Sequence, residues 1–503
     1  MLVHRTVRGR ATAVLAAGVL SLALAACGSQ LSPDEFVTAG GGTAGVGVGT
    51  GTGTDGGFVD DGSGVVADGG TGTDTSGGST GSTDGSSGGT SSSGGGSSSS
   101  GGDSGSSGDG GGQTDSSDQI KTGSCEGFKN GVGITDDAIT IGNSSDISGP
   151  VPGLFEAAQD AVKAFVAYYN KANPDGICGR RLVLKNYDSQ TQDSSDQRNH
   201  VDACENVFAM VGSMSAFDSG GAATTEACGL PDIRSAGVTG NRQQCKTCYG
   251  AQSTIAGEVA NAVPDYALKN FPDAAQKAGM LYITAGAAQE NGELFPVAYE
   301  KRGMNFDYVQ GFGTSEFNYS PYVQQLKDRG IRYVQMTAAV PQFVRMAQAM
   351  QQQSYKPDVF MFDPTAYDPE FISSGGDAVE GATVFMNFVP FEEASSSPET
   401  ALYLNWLQQT KPGATPTFFG VFSWSAARLF VEKAAALGGD LNRANLVQAV
   451  SQVKSWTANG LHAPQFVGPK RTGDCFRFVQ VKNGRWVPVG GTKYTCTGTT
   501  VAR

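Results

Sequence analysis

From Lys121 to the C-terminus, short apolar runs alternate with longer amphipathic runs. We predict strands in AITIGNS, RLVLKNYD, VFAMVGSM and LPDIRSAG, and helices between them in LFEAAQDAVKAFVAYYNK and SDQRNHVDACENV. A second series of predicted strands comprises AGMLYITAG, NFDYVQGFG, IRYVQMTAA, PDVFMFDP and ATVFMNFVP. Alternating strands and helices form parallel sheets with helices on both faces. The two series therefore predict an α/β fold with two Rossmann-like lobes.

The C-terminal part departs from this alternation. FFGVFSWSAARLFVEKAAALGG and NRANLVQAVSQV predict two successive helices, and the apolar alternation around Asn483-Gly484 predicts a hairpin. We assign 121–252 and 388–456 to lobe 1, and 253–387 and 457–503 to lobe 2, whose return ends in the hairpin. Ligands of open α/β sheets bind outside the carboxyl ends of the strands, so we expect a ligand cleft between the lobes.

The N-terminus has the pattern of an export signal. Basic residues precede the apolar run ATAVLAAGVLSLALAA, which is too short and too rich in Ala for a membrane span. The run ends in LAAC at Cys27, which resembles the lipobox of bacterial lipoproteins, where the Cys thiol accepts a diacylglyceryl group. We predict a lipoprotein signal peptide at 1–26 and a lipid on Cys27 that anchors the chain to the outer face of the cell membrane. The alternative is an ordinary cleaved signal with an incidental Cys.

Residues 27–120 consist mostly of Gly, Ser, Thr and Asp, and 40–117 contain no Lys or Arg. Such a segment buries too little apolar surface to offset its conformational entropy, so we predict a disordered tether with an r.m.s. span of roughly 50 Å. Twelve of the 48 acidic residues and three of the 35 basic residues precede Lys121, which leaves a net charge of −4 on the rest of the chain. That near balance indicates no basic face for nucleic acid.

Eight of the nine cysteines remain once Cys27 is lipidated, and an even number in an exported chain predicts disulfides. Sequence alone allows on the order of 100 pairings. We favour Cys204 with Cys228, Cys475 with Cys496, Cys245 with Cys248, and Cys125 with Cys178. The motif CKTC could be a redox site, but it lies in a polar loop rather than at the start of an apolar helix, which favours a structural disulfide.

Enzyme chemistry finds little support in the sequence. Beyond His4, only His200 and His462 could serve a Ser-His-acid hydrolase, and no G-x-S-x-G motif accompanies either. SQVK at Ser451 imitates an S-x-x-K motif but lies late on an amphipathic helix. No paired His spacing suggests a metal, and the loop ISGPVPG lacks the Lys that ends a P-loop. We expect no catalysis, no metal and no cofactor.

The order of the elements resembles a known family. ITIGNSSDISGPVPGLFEAAQDAVKAFVAYYNKANPDGICGRRLVLKNYDSQ resembles the opening of type I periplasmic binding proteins of the leucine/isoleucine/valine-binding class. FAMVGSMSAFDS, ACGLPDIRSAG and PDVFMFDPTAYDPEFI resemble later segments, and the resemblance covers about residues 134–489. It implies a two-lobed extracytoplasmic receptor, which we expect to be a monomer, that closes on a small polar molecule such as an amino acid or amide for an ABC permease. It also supports the pairing of Cys204 with Cys228.

The resemblance also implies where a ligand binds. In the family, loops after the third and fourth strands of the first lobe meet the ligand's carboxylate and ammonium. Here those loops contain Ser213, Ser215, Ala216 and the segment from Ala236 to Thr239. We expect Ser215 and Thr239 to lie in loops rather than in the core.

In the second lobe, the family usually offers a Tyr just before a Gly, and the segment TAGAAQENG has no such Tyr. This departure leaves the amide of Gln289 as a candidate contact. A ligand ammonium would need an acid from the segment MFDPTAYDPE, where only Asp363 or Asp368 could serve.

Further candidates follow from residue types in the predicted cleft loops. Ser148 either faces ligand or water, or caps the following helix. Phe217 and Tyr367 are placed to pack on a ligand. Arg234 could pair with a ligand carboxylate, but strand alternation points it to solvent or to an internal acid. Trp424 and the Phe residues around it have helical spacing, which predicts that most of them are core.

The long tether leaves two alternatives to transport open. A receptor that hands its ligand to a permease in the same membrane has no need of such reach. The chain could be a lipid-anchored sensor or cell-surface interaction module without transport, or, with less support, a secreted hydrolase. Neighbouring permease and ATPase genes would favour transport, and their absence would favour the sensor.

Replacing Cys27 tests the predicted lipid anchor. Labelled fatty acid should enter the wild-type protein and not Cys27→Ala, because the variant has no thiol to accept the lipid. Label in both proteins would contradict the prediction.

Overall fold

The structure is a computed structural model that describes residues 120–503. The predicted signal peptide, Cys27 and all but the last residue of the predicted tether lie outside the described residues. Within 120–503, no helix is both long enough and apolar enough to cross a membrane.

Lobe 1 begins with nine alternating elements: β1 (Ala138–Ser145), α1 (Glu156–Ala172), β2 (Arg181–Asp188), α2 (Asp193–Asn206), β3 (Ala209–Val211), α3 (Ala222–Ala227), β4 (Asp232–Ala236), α4 (Gly240–Gln244) and β5 (Cys248–Gln252). The strands form a parallel sheet in the order β2-β1-β3-β4-β5. All three residues of β3 are buried, because helices cover both faces of the sheet centre.

Lobe 2 continues the alternation with β6 (Glu258–Ala260), α5 (Ala262–Asn270), α6 (Pro272–Ala275), β7 (Ala278–Ile283), α7 (Gly286–Glu300), β8 (Phe306–Phe312), α8 (Ser320–Asp328), β9 (Tyr333–Thr337), α9 (Val340–Gln352), β10 (Val359–Phe362), α10 (Pro369–Gly375) and β11 (Thr383–Met386). Strands β7 to β11 pair in parallel in the order β11-β10-β9-β7-β8.

The C-terminal part adds elements to both lobes: α11 (Pro398–Thr410), α12 (Phe418–Leu437), α13 (Arg443–Ser451), β12 (Cys475–Lys482), β13 (Arg485–Val489), β14 (Thr495–Cys496) and β15 (Thr499–Val501). Strands β12 and β13 extend the second sheet in antiparallel fashion, β14 pairs with β12, and β15 pairs with β6. The predicted hairpin is confirmed, and Asn483 and Gly484 have φ of 53° and 67°, as a two-residue type I′ turn requires.

Helix α12 is buried on almost every side, as its nearly uninterrupted apolar sequence requires. It begins after Thr417, whose hydroxyl accepts a hydrogen bond from the N–H of Gly420, and it ends at Gly438, which has φ 52°. It packs against α1 and β4 of lobe 1. Trp424 is 0% exposed, as predicted for a core residue, and its ring lies edge-on to that of Phe165 with centroids 4.9 Å apart.

The chain passes between the two sheets three times, and the crossing segments bond to one another. The N–H and hydroxyl of Ser253 donate to the amide oxygen of Gln465 at 3.1 and 3.4 Å. The N–H of Ala463 donates to the carbonyl of Asn387 at 2.7 Å. The three crossings therefore form a single hinge between the lobes.

The structure forms four disulfides, and they are the four pairs that the sequence favoured: Cys125–Cys178, Cys204–Cys228, Cys245–Cys248 and Cys475–Cys496. Cys245 and Cys248 are both buried, between α4 and β5. The CKTC motif is thus a closed structural loop in this structure, since its sulfur atoms are bonded and covered.

Substitution of Glu399 on α11 tests how strongly this side chain stabilises the contact between α11 and α12. Its Oε1 accepts hydrogen bonds from the indole of Trp424 at 2.6 Å and from Arg428 at 2.7 Å, and all three side chains are buried. Glu399→Gln leaves the charge of Arg428 without its buried partner, so we expect the free energy of unfolding to fall by about 3–5 kcal/mol.

Glu432→Gln is the matched control, because Glu432 is a second, partly exposed partner of Arg428 at 3.8 Å. This substitution should cost less than about 1 kcal/mol. Urea denaturation measures both variants, and equal losses would show that burial of the ion pair is not what stabilises this contact.

Candidate functional site

The carboxyl ends of the lobe 1 strands meet around Asp146, which directly follows β1 and is 0% exposed. Its Oδ1 accepts hydrogen bonds from the hydroxyls of Ser189 (2.6 Å) and Ser215 (2.9 Å) and from the N–H of Thr191 (3.0 Å). Its Oδ2 accepts from the N–H of Ala216 at 2.8 Å. Burial raises the pKa of Asp146, and these hydrogen bonds oppose the rise. One carboxylate thus joins the loops that follow β1, β2 and β3.

Asp218 makes a similar junction between the loops that follow β3 and β4. It is buried and accepts hydrogen bonds from the N–H of Val238 (2.9 Å) and from the N–H (3.1 Å) and hydroxyl (2.6 Å) of Thr239. Thr239 in turn caps α4 by accepting from the N–H of Arg242 at 3.4 Å. Burial raises the pKa of Asp218, against the charges of Arg234 and Arg242.

A buried ion network behind Asp218 explains the orientation of Arg234. Arg234 bonds to Asp232 at 2.9 Å and lies 3.6 Å from Asp218. Arg242 bonds to Asp232 at 2.9 Å and to Asp196 at 2.7 Å. Strand β4 therefore points Arg234 to internal acids, which is one of the two orientations that its alternation predicted.

The polar candidates of lobe 1 lie together, but their hydroxyls have partners inside the protein. The Ser213 hydroxyl accepts from the N–H of Ser144 at 3.1 Å. The Ser215 hydroxyl donates to Asp146 and accepts from the N–H of Phe217 at 3.2 Å. Ser215 lies in a loop, as predicted, but it is fully buried, so the prediction that it lies outside the core is wrong. The reason is that the loop folds inward to reach Asp146.

An apolar patch adjoins these polar loops. Ala236, at the end of β4, and Met214 are buried in it, and Ala216 packs on its edge half-buried. The rings of Phe155 and Phe419 meet edge-on with centroids 4.5 Å apart. The wall of lobe 1 thus combines a polar part held by carboxylates with an apolar part, as small-molecule sites commonly do.

Ser148 has a different role from the cap that one prediction assigned to it. Its hydroxyl donates to the carboxylate of Asp188 at 2.5 Å, and its N–H donates to the same group at 3.2 Å. Helix α1 begins at Glu156, and its N-cap residue Phe155 provides no side-chain hydrogen bond. Ser148 as a helix cap is therefore wrong. The residue ties the exposed loop to the end of β2, eight residues before the helix begins.

Three buried amide or carboxylate oxygens near the carboxyl ends of β9, β10 and β11 have no hydrogen-bond partner among residues 120–503, and neither has the hydroxyl of Thr337 at the end of β9: the three are Gln342 Oε1, Asp363 Oδ2 and Asn387 Oδ1. Their residues are 6%, 9% and 2% exposed, respectively. The other carboxylate oxygen of Asp363 accepts from the N–H of Thr365 at 2.9 Å. Burial raises the pKa of Asp363 to about 6. Because buried polar groups are almost always paired, these oxygens are candidates to accept hydrogen bonds from a ligand or from water.

Asp368 and Tyr367, which follow Asp363 closely, both have hydrogen-bond partners within the protein. Asp368 caps α10 by accepting from the N–H of Glu370 at 2.8 Å. The Tyr367 hydroxyl donates to Glu392 and accepts from the N–H of Phe391 at 2.8 Å. Of the two acids that the sequence offered for a cation, Asp363 is the one with an unpaired buried oxygen.

The two lobes meet where α7 begins. Gly286, its first residue, has φ +50°, and a Cβ added there would lie 2.8 Å from the carbonyl oxygen of Ala216 in lobe 1. Burial raises the pKa of Glu290 on the same helix, and the nearby charge of Asp218 raises it further. Gln289, the candidate from this segment, is exposed. Helix α7 therefore brings lobe 2 against the loop that Asp146 holds.

A buried Ser and His in the hinge region imitate a hydrolase dyad. His462 Nε2 lies 2.7 Å from the hydroxyl of Ser425, and Nδ1 lies 2.8 Å from the carbonyl of Ala463. The indole of Trp456 donates to the same Ser425 hydroxyl at 2.8 Å, and Ser425 is fully buried. Burial lowers the pKa of His462 to about 4. The pair is closed to a substrate and connects helix α12 to the hinge.

In residues 120–503, no group of three or more His, Cys, Asp or Glu side chains is arranged to hold a metal ion.

Solved structures share this two-lobed arrangement. A fatty acid ABC transporter substrate-binding protein from Thermomonospora curvata is 18% identical, with a TM-score of 0.63 over 74% of this chain and 95% of that one. A branched-chain amino acid transporter substrate-binding protein from Streptococcus pneumoniae, solved with isoleucine, is 13% identical, with a TM-score of 0.60 over 72% and 100%. A solute-binding protein from R. palustris, solved with 4-hydroxybenzoate, is 16% identical, with a TM-score of 0.58 over 72% and 97%.

Sequence comparison identifies the family. A search of curated proteins found no match. A family model described as periplasmic binding protein matches residues 138–485, which is more than half of the chain. The protein therefore belongs to the periplasmic binding protein family and has the two-lobed α/β fold of its type I members.

Proposed function

We propose that this protein is the extracytoplasmic solute-binding component of an ABC transporter, and that it captures a small polar molecule between its two lobes. Membership of the family supports this function, and so do the ABC transporter proteins among its structural relatives. The contact of Gly286 with Ala216 supports a closing movement of the lobes on a ligand. The protein acts as a binder and not as an enzyme.

The three unpaired oxygens of lobe 2 carry the proposal. Burying a polar atom without a partner costs free energy, and burying a carboxylate costs more. Side chains of this kind persist at binding sites because a ligand satisfies them. Asp363 and Asn387 directly follow the adjacent parallel strands β10 and β11, and Gln342 lies in the first turn of α9, which follows β9; ligands of open α/β sheets bind at such strand ends.

The N-terminal sequence supports the location of this function. The basic and apolar signal followed by LAAC would place a lipid on Cys27 at the outer face of the cell membrane, and the Gly- and Ser-rich tether would let the two-lobed body reach a permease as a monomer.

A second candidate function is ligand sensing without transport. The tether favours it, because roughly 50 Å of reach suits a partner held at a distance better than a permease in the same membrane. Permease and ATPase genes next to the gene for this protein would favour transport, and a gene for a membrane signalling protein would favour sensing.

A thermal-shift screen against amino acids, amides, polyamines and organic acids tests the binding function. A ligand at about 100 times its Kd should add about 2.7 kcal/mol to the free energy of unfolding and raise Tm. A broad screen in which no solute raises Tm would count against the proposal.

A matched pair of glycine substitutions then tests whether binding closes the lobes. In Gly286→Ala the new methyl group presses on the carbonyl of Ala216, so affinity for the solute that the screen finds should fall by about tenfold, or ~1.4 kcal/mol. Gly376→Ala is the control, because Gly376 also has φ +50° but no heavy atom of the described residues within 4 Å of the added group. Both positions share φ +50°, a conformation that strains any residue with a Cβ. Equal affinities in calorimetry would contradict closure at Gly286.

The substitution Asp363→Asn tests how much the buried carboxyl group reduces the free energy of unfolding. The test uses the pH dependence of that free energy. The pKa of Asp363 is about 6 in the folded protein and about 3.9 in an unfolded chain, so the folded state retains a proton that the unfolded state loses. Its contribution to stability is complete below about pH 4 and is lost as the pH rises through 6. Relative to wild type, Asp363→Asn should therefore gain about 3 kcal/mol between pH 4 and pH 8 while binding the solute more weakly.

Asp358→Asn provides the control at the other end of β10. Asp358 is half-exposed and pairs with Arg332 at 2.5 Å, so its substitution should change stability by less than about 1 kcal/mol at either pH. Denaturation at both pH values measures the difference. A gain for Asp363→Asn that does not depend on pH would mean that the carboxyl is not the source of the cost.

A further inference from the structure

The wall of lobe 1 has few hydrogen-bond donors left for a ligand. Loops at the carboxyl ends of parallel strands and at helix N-termini usually present free N–H and hydroxyl groups, and such groups bind anions. Here Asp146 takes four of these donors, from Ser189, Thr191, Ser215 and Ala216. These donors form an anion cradle, and the carboxylate of Asp146 already occupies it.

Asp218 takes the corresponding donors of the next loop. The N–H of Val238 and both the N–H and the hydroxyl of Thr239 point at its carboxylate. Both acids are completely buried, so solvent does not compete for these bonds. A carboxylate on an incoming ligand would find these donors already bonded and would face the buried carboxyl groups of Asp146 and Asp218.

Lobe 2 has unpaired hydrogen-bond acceptors, whereas the loop donors of lobe 1 described above are bonded to Asp146 and Asp218. Asp363 Oδ2, Asn387 Oδ1 and Gln342 Oε1 have no partner within 120–503 and lie in side chains that are at least nine-tenths buried. The oxygen of Gln342 is identified by its amide nitrogen, which donates to the carbonyl of Thr314 at 3.5 Å. A ligand that satisfies these three atoms must donate hydrogen bonds.

Two acids near the lobe contact, Glu290 and Asp218, have charges of the same sign, and Arg503 is a cation close to Glu290. Glu290 on α7 lies close enough to Asp218 for the two charges to interact. The guanidinium groups of Arg234 and Arg242 are the cations nearest to Asp218, and both are bonded to the acids behind it. Like charges across a closing interface disfavour an anion and favour a cation.

We infer that the cleft takes a small organic amine without a carboxylate group, because Asp146 fills the anion cradle of lobe 1 and Asp363 leaves an unpaired buried oxygen for a cation. This inference rests on the proposed solute-binding function and narrows it. The apolar patch around Met214 and Ala236 would accept the carbon skeleton of the amine.

Pairs of ligands that differ only in the carboxylate test the inference on the wild-type protein. The pairs are leucine and isoamylamine, phenylalanine and phenethylamine, lysine and cadaverine, and arginine and agmatine. Calorimetry should show at least one amine binding roughly a hundredfold or more tightly than its amino acid, because the carboxylate would face Asp146. Asp363→Asn should weaken that amine by tenfold or more, and Asp358→Asn should leave it unchanged.

Two outcomes would overturn the ligand class. One is an amino acid that binds as tightly as its amine or more tightly, and the other is failure of all four amines. In either case, binding of another solute in the wider screen would leave the proposed function intact. Failure of every solute, charged or neutral, would instead remove the proposed function itself.

Chemical rescue tests the role of Asp146 without reference to the ligand. Formate carries the same charged group as the missing side chain, so it should raise the Tm of Asp146→Ala by several degrees in a saturable way and leave wild type nearly unchanged. Methylammonium chloride at the same concentration should not do so. If the variant does not fold alone, its refolding yield in the two salts gives the same comparison. Equal effects of formate on wild type and variant would show that the cradle still has free donors, and the inference would fail.

Discussion

Loops at the end of a parallel sheet have no neighbouring strand to pair with, and their buried N–H and hydroxyl groups must still be satisfied. In lobe 1, two buried carboxylates meet this requirement through seven hydrogen bonds, four to Asp146 and three to Asp218. Because each carboxylate serves more than one loop, the loops after β1, β2, β3 and β4 are positioned as a unit. The shape of the cleft wall depends on this constraint.

The two lobes differ in how the buried acids near the cleft are paired. Lobe 1 pairs its acids with guanidinium groups and loop donors, so the cost of burying charge is offset within the lobe. Lobe 2 leaves oxygens of Gln342, Asp363 and Asn387 unpaired among the described residues. The loop carboxylates of lobe 1, Asp146 and Asp218, are thus paired before a ligand arrives, whereas Asp363 in lobe 2 has an oxygen that a ligand would satisfy. Such an asymmetry gives the ligand a direct way to favour the closed arrangement.

Patterns within short segments of the sequence predicted much of this fold. Contacts between residues that are far apart in the sequence were not predicted. The apolar periods of β1 and α12 and the Asn483-Gly484 turn are properties of short segments, so sequence alone identifies them. The bond from Ser215 to Asp146 spans 69 positions, and no short pattern signals it. The candidate loops of lobe 1 were placed together correctly, but their hydroxyls were expected to face a ligand. The hydroxyl of Ser215 bonds instead to Asp146, a buried acid that directly follows β1.

The disulfide between Cys125 and Cys178 lies near the point where the described body begins. The backbone beside it is held as well, because the N–H of Gly123 donates to Ala435 at 2.8 Å and the N–H of Gly439 donates to Ser124 at 2.7 Å. Mechanical load that reaches the body from the N-terminal side therefore meets a covalent bond before it reaches β1. A pull along the chain is transmitted to lobe 1 as a whole, and the sheet is not peeled open strand by strand.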